Sequence, residues 1–150
     1  MTVISKDLFF KEAESLLSYG KPVELRVTGT SMHPYLRGNG NEIIIVSAFT
    51  PEELKVGQIV LFRYEGNHIF HRIIKRKGNS FIIQGDGVVK KQEEVLLSDI
   101  IGVVRSIIRP SGKSVSVDRR SHRLYWRCWL LLHPLRRYLL AVYRLFHRQQ

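Results

Sequence analysis

Between residues 22 and 117 the chain alternates short apolar runs with Gly-Asn turns, and this punctuation limits the fold more than any other feature. Candidate strands are 23–28, 42–47, 58–64, 68–76, 80–84, 100–108 and 114–117. Gly38-Asn39-Gly40, Glu65-Gly66-Asn67 and Lys77-Gly78-Asn79 separate them. Glycine and asparagine tolerate the left-handed backbone that tight turns need, so each cluster is placed to reverse the chain. Many short strands with few helices among them predict a mainly β architecture, a barrel or a sandwich. At 150 residues the chain is one domain, long enough for a real core.

Both flanks read differently. Residues 5–19 predict a short amphipathic helix, with Ser5 as N-cap, Leu8, Phe9, Leu16 and Leu17 at helical spacing, and Gly20 as its stop. Residues 119–150 form a segment rich in Leu, Trp, Tyr and Arg, which Pro134 splits into two helical pieces. Arg120, Arg123 and Arg127 share one helical face, as do Arg137, Arg144 and Arg148. Arginine on one side and Leu, Trp and Phe on the other suit a membrane interface. They do not suit a span, because Arg136 and Arg137 would sit near its centre at about 2.5–3.5 kcal/mol each. The alternative is packing on the body or on a second copy. The division expected is therefore a body, 1–118, and a basic amphipathic tail, 119–150.

Charge location decides what the basic composition means. The net charge is +11, yet residues 1–118 hold 16 Lys+Arg against 13 Asp+Glu, while residues 119–150 hold eight Arg and no acid. A nucleic-acid binder is disfavoured, since the body is nearly balanced and no recognised motif accompanies the tail. The chain opens Met-Thr-Val-Ile-Ser-Lys-Asp, without a basic n-region and apolar h-region, so neither a secretory signal nor an N-terminal anchor is expected. The expected location is cytoplasmic, or peripheral on the inner face of a membrane. The single cysteine, Cys128, excludes an internal disulfide and is expected to pack in the C-terminal helix.

The most informative stretch is Gly29-Thr30-Ser31-Met32-His33-Pro34-Tyr35-Leu36. A serine hydroxyl becomes a useful nucleophile when a base takes its proton and backbone N–H groups receive the developing oxyanion. A glycine beside a serine at a strand end permits close approach to a substrate carbonyl. Read alone, the same string is a turn between strands. His68 and His71 stand three apart, which sends them to opposite faces of a strand and argues against a shared metal. No metal or cofactor is expected. Lys75, on the strand face of His71, is a second candidate base.

The longer string Ser31-Met32-His33-Pro34-Tyr35-Leu36 resembles the nucleophile box of signal peptidase I and its LexA-like relatives. Three further features resemble that family in the same order: Val56-Gly57-Gln58-Ile59-Val60-Leu61-Phe62, His71-Arg72-Ile73-Ile74 and Gly85-Asp86. Together they cover roughly residues 25–105. The resemblance implies a β-barrel or coiled sheet with a short N-terminal helix, and serine peptidase chemistry on a peptide or leader sequence after small residues. Ser31 takes the place of the nucleophile. His71 stands where bacterial enzymes carry a lysine base, which places the chain with the Ser–His branch. By the same resemblance Asp86 would orient His71, and Ser31, Gly29, Thr30, Met32 and Pro34 would line the oxyanion and substrate site. A LexA-like regulator and an inactive peptide-binding module of the same fold are the alternatives. The first needs a DNA-binding helix-turn-helix ahead of the barrel, which some 25 residues do not supply.

Overall fold

The computed structural model describes residues 6–147 and is mainly antiparallel sheet, 38% strand and 31% helix, not closed into a barrel. An N-terminal helix, α1 (Lys6–Ser18), precedes β1 (Val23–Thr28), β2 (Asn39–Ser47), β3 (Ile59–Tyr64), β4 (Asn67–Lys77) and β5 (Ser80–Gln84). Then come β6 (Glu93–Leu96), β7 (Ile100–Ile108), β8 (Ser114–Ser116) and two C-terminal helices, α2 (Arg120–Leu131) and α3 (Arg136–Phe146). The sheet order is β1-β2-β7-β3-β4-β5-β6, with β8 added to β7. The strands expected at 23–28, 80–84 and 100–108 have those bounds, and the others shift by one to three residues. β6 was not anticipated. Its Glu93-Glu94 start masks a strand whose buried positions, Glu93 and Val95, alternate with exposed ones.

Strand β3 is covered on both faces. Ile59 and Leu61 pack into one apolar cluster with Leu25, Val27, Met32, Leu36 and Ile107. Val60 and Phe62 point the other way, into a second cluster with Ile73, Phe81, Ile83 and Val95. A strand covered on both faces reads as a continuous apolar run, as Ile59-Val60-Leu61-Phe62 does.

Helix α1 ends as its sequence predicts. Gly20 adopts φ 76°, its N–H bonds to the Leu17 carbonyl at 3.0 Å, and the Lys21 N–H bonds to the Leu16 carbonyl at 3.0 Å. This paired closure is the Schellman arrangement, open to glycine because it has no Cβ to clash. The buried face differs from the one expected: Ala13 and Leu17 are buried with Phe10 and Leu16 against them, whereas Leu8 and Phe9 are exposed. The proposed cap, Ser5, lies outside the described residues.

The C-terminal segment breaks at Pro134, as expected, but its inner side packs on the sheet. Trp129 is buried and its indole N–H donates to the Asp86 carbonyl at 3.0 Å. Trp126 covers Gly57 so closely that a Cβ there would meet its ring at 2.3 Å. Tyr125 stacks between Tyr35 and Trp129, and the Tyr35 hydroxyl bonds to His122 Nδ1. His133 Nε2 bonds to Gln84 Oε1 at 3.1 Å. Cys128, expected to pack within this segment, is exposed.

Both docking histidines are held below the ordinary value of 6.5, His122 by burial and then by Arg109, Arg119 and Arg72, and His133 by burial and then by Arg136. The folded chain therefore takes up these protons less readily than the unfolded chain. Their contribution to stability is present above about pH 6.5 and declines as pH falls below it. Thermal melts from neutral pH to about pH 5 should show this decline, and His122→Gln with His133→Gln should flatten part of it. An unchanged slope in the double variant would contradict the assignment.

Candidate functional site

Ser31 sits in the loop joining β1 to β2, and two glycines close that loop. The Gly29 N–H donates to the Gly38 carbonyl at 2.9 Å, and a Cβ on Gly38 would lie 1.6 Å from the Gly29 carbonyl oxygen. The turn therefore spans residues 29–38 and is not the one centred on residues 38–40 that the sequence suggested. Met32 and Leu36 anchor it in the first apolar cluster, while Thr30 is exposed and Pro34, after a cis peptide bond, is half-buried. Ser31 is half-buried and faces a cleft of about 350 Å³. Phe9 and Phe10 of α1, Leu25 of β1, Leu61 of β3 and Phe70 of β4 give that cleft apolar walls.

His71 of β4 is not among the residues lining that cleft and approaches the serine loop from the side of Gly85. A Cβ built on Gly85 would lie 2.3 Å from the Ser31 carbonyl oxygen and 2.9 Å from His71 Nε2, so the serine loop and the imidazole meet across that glycine. The Gly87 N–H holds the loop by donating to the Ser31 carbonyl at 2.8 Å. His71 is buried, and its Nε2 has no hydrogen-bond partner among the described residues. Its Nδ1 lies 3.3 Å from Glu93 Oε2, also buried. A carboxylate acceptor at Nδ1 favours the proton there and leaves Nε2 free to accept one.

Asp86, the expected orienting acid, is engaged elsewhere. Its two oxygens accept from Arg72 Nε at 2.9 Å and Arg72 Nη2 at 2.8 Å, and Arg72 Nη1 donates to the Gly57 carbonyl at 2.8 Å. Sheet register gives the reason. Ile73 pairs with Ile83 and Ile83 with Glu93, so His71, two residues before Ile73, shares their face. Arg72 pairs with Gln84 and turns to the opposite face, where Asp86 emerges. Burial alone would lower the Arg72 pKa, but the charge and hydrogen bonds of Asp86 outweigh it and raise the value. Tyr35, under the same guanidinium at 4.8 Å, is pushed up to about 12 by its burial.

The remaining candidates separate cleanly. His68 lies on the other side of β4 from His71, stacked on Phe10 at 4.2 Å and bonded to Glu14 at 2.9 Å. Lys75 is exposed, because a register shift between Ile73 and Lys75 interrupts the strand-face repeat that the sequence implied. Glu93 was missed, although its two-residue offset from Val95 marks an inward position. Arg136 belongs to the buried side of the C-terminal segment. It is 1% exposed, lies 5.4 Å over the Trp129 ring and donates to the Val88 carbonyl at 3.2 Å. Compared with known protein families and with curated proteins, the chain matches none.

Two substitutions test this geometry. Arg72→Met leaves the buried Asp86 carboxylate without its partner and should cost about 3–5 kcal/mol in urea unfolding. Gly85→Ala drives a methyl group into backbone and imidazole together and should cost about 1–3 kcal/mol. Wild-type stability of Gly85→Ala would show that the Ser31 loop does not close against His71.

Proposed function

We propose that the chain is a serine endopeptidase in which Ser31 is the nucleophile, His71 the general base and Glu93 the residue that orients His71. One observation carries this reading: the partnerless Nε2 of a buried imidazole, fixed by a carboxylate at its other nitrogen, adjoins the serine loop. The order Ser31, His71 and Gly85-Asp86 along the chain, with its resemblance to signal peptidase I, supplies the reaction class.

In the proposed reaction an extended peptide lies along β1, which among the described residues is an edge strand paired with β2 alone. Its main chain adds to that open edge, and an apolar side chain enters the cleft beside Ser31. His71 Nε2 takes the Ser31 proton as Oγ bonds to the scissile carbonyl carbon. Collapse of the tetrahedral intermediate breaks the C–N bond, and the imidazolium returns its proton to the leaving amine. A water molecule then attacks the ester, giving its proton to His71, which passes it to Ser31 Oγ as the carboxylic product leaves. Glu93 holds the Nδ1 proton and stabilises the imidazolium at each stage. By the resemblance, the residues preceding the cut are small. We place the substrate among precursor peptides or leader sequences met near a membrane.

Cleavage of a peptide library, read by mass spectrometry, tests the reading. Ser31→Ala should fold normally and cleave nothing. Glu93→Gln should lose on the order of 10²–10⁴-fold in kcat with a preserved fold, as expected for the wrong tautomer. The Asp86→Asn variant should lose stability first, because its carboxylate neutralises Arg72. Full activity in Glu93→Gln would remove Glu93 from the mechanism, and activity in Ser31→Ala would remove the mechanism itself.

A further inference from the structure

Helix α3 carries two apolar stripes, and the fold uses one. On the inner side Arg136, Leu140 and Tyr143 face the body: Arg136 and Leu140 are each 1% exposed, and Tyr143 meets the His33 ring edge-on at 5.6 Å. The second stripe runs through Leu135, Tyr138, Leu139, Val142, Leu145 and Phe146, spaced to form a single face. At 3.6 residues per turn it lies roughly a third of a turn from the docked one. All six residues are exposed, Leu145 by 69% and Phe146 by 80%. Leu131, at the end of α2, extends the apolar surface at 81% exposure. Folded chains seldom leave so many large apolar side chains together in water without a partner for them.

Charge selects the partner. Arg137 and Arg144 occupy the third side of α3, about a quarter turn from the stripe's edge at Leu145, and Arg120, Arg123 and Arg127 of α2 are likewise exposed. Neither helix contains a carboxylate. A second copy of the same face would bring these arginines against one another with no acid to offset them. An anionic lipid surface satisfies both features at once, since acyl chains receive the stripe and headgroups receive the guanidinium groups. No helix among the described residues is long and apolar enough to cross a membrane, so the contact lies in the plane of the interface.

We infer that the outer face of α2 and α3 seats this protein on the surface of an anionic bilayer. The inner face stays docked: Trp129 holds the Asp86 carbonyl at 3.0 Å, and Arg136 holds the neighbouring Val88 carbonyl. The loop that closes on Ser31 is thereby tied to the same two helices that carry the apolar stripe. The inference stands on exposure and charge and is independent of the chemistry at Ser31.

Sedimentation of the full chain with phosphatidylcholine vesicles, with and without phosphatidylglycerol, tests it. The wild-type chain should be monomeric by light scattering and should pellet with the anionic vesicles, with binding weakened by added salt. Leu135→Gln combined with Leu145→Gln and Phe146→Gln should keep the circular dichroism spectrum and lose binding at least about tenfold. Arg137→Gln with Arg144→Gln should lose the preference for anionic lipid. Three results would overturn the inference: a wild-type chain left in the supernatant, a triple variant that pellets as well as wild type, or a wild-type dimer that the triple variant converts to monomer. The last would assign the face to a second copy.

Discussion

The buried pair of Arg72 and Asp86 is the interaction on which the rest of the arrangement depends. Two parallel hydrogen bonds at 2.9 and 2.8 Å join a β4 side chain to the loop after β5, and both groups are sealed from water. Each partner then reaches further. Arg72 takes the Gly57 carbonyl ahead of β3 and lies against the Tyr35 ring of the Ser31 loop. The Asp86 carbonyl takes the indole N–H of Trp129, and its flanking glycines touch the Ser31 carbonyl and the His71 ring. A charge buried this deeply is tolerable only with its counter-charge and hydrogen bonds in place. That requirement fixes the loop against the sheet, and the loop is what sets the Ser31 backbone beside the His71 ring across Gly85.

Burial of Arg72 also explains why the candidate carboxylates divide their work as they do. Consecutive strand residues point to opposite faces, so His71 and Arg72 necessarily call on different acids. Asp86 is committed to the guanidinium, and Glu93 comes to His71 from a different strand. The proposed dyad thus borrows its orienting group from β6, the edge strand at the far end of the sheet.

Much of this was legible in the sequence, for identifiable reasons. Hairpin turns at residues 65–67 and 77–79, and the continuous apolar run of β3, report local backbone and two-sided burial, which the chain writes directly. Ser31 and His71 were singled out by the order of the motifs around them, and the fold sets the Ser31 backbone and the His71 ring at one glycine, Gly85. Asp86 was assigned to His71 by the resemblance alone, whereas it is engaged by Arg72, because the sheet register, a long-range property, decides which face each acid serves. Glu93 illustrates the same limit: its acidic neighbour Glu94 hides the alternation that Val95 reveals. In the C-terminal segment, composition disclosed the amphipathic character but not its two stripes. Separating the docked side from the open side requires knowing that Trp129, Arg136 and Leu140 meet the body.

Covalent labelling with a fluorophosphonate probe, located by mass spectrometry of the digested protein, addresses the central claim most directly. Ser31 activated by His71 should carry a single adduct, and His71→Ala should slow its formation by on the order of 10²-fold or more. No adduct on Ser31, or the same rate of labelling without the imidazole, would contradict the account.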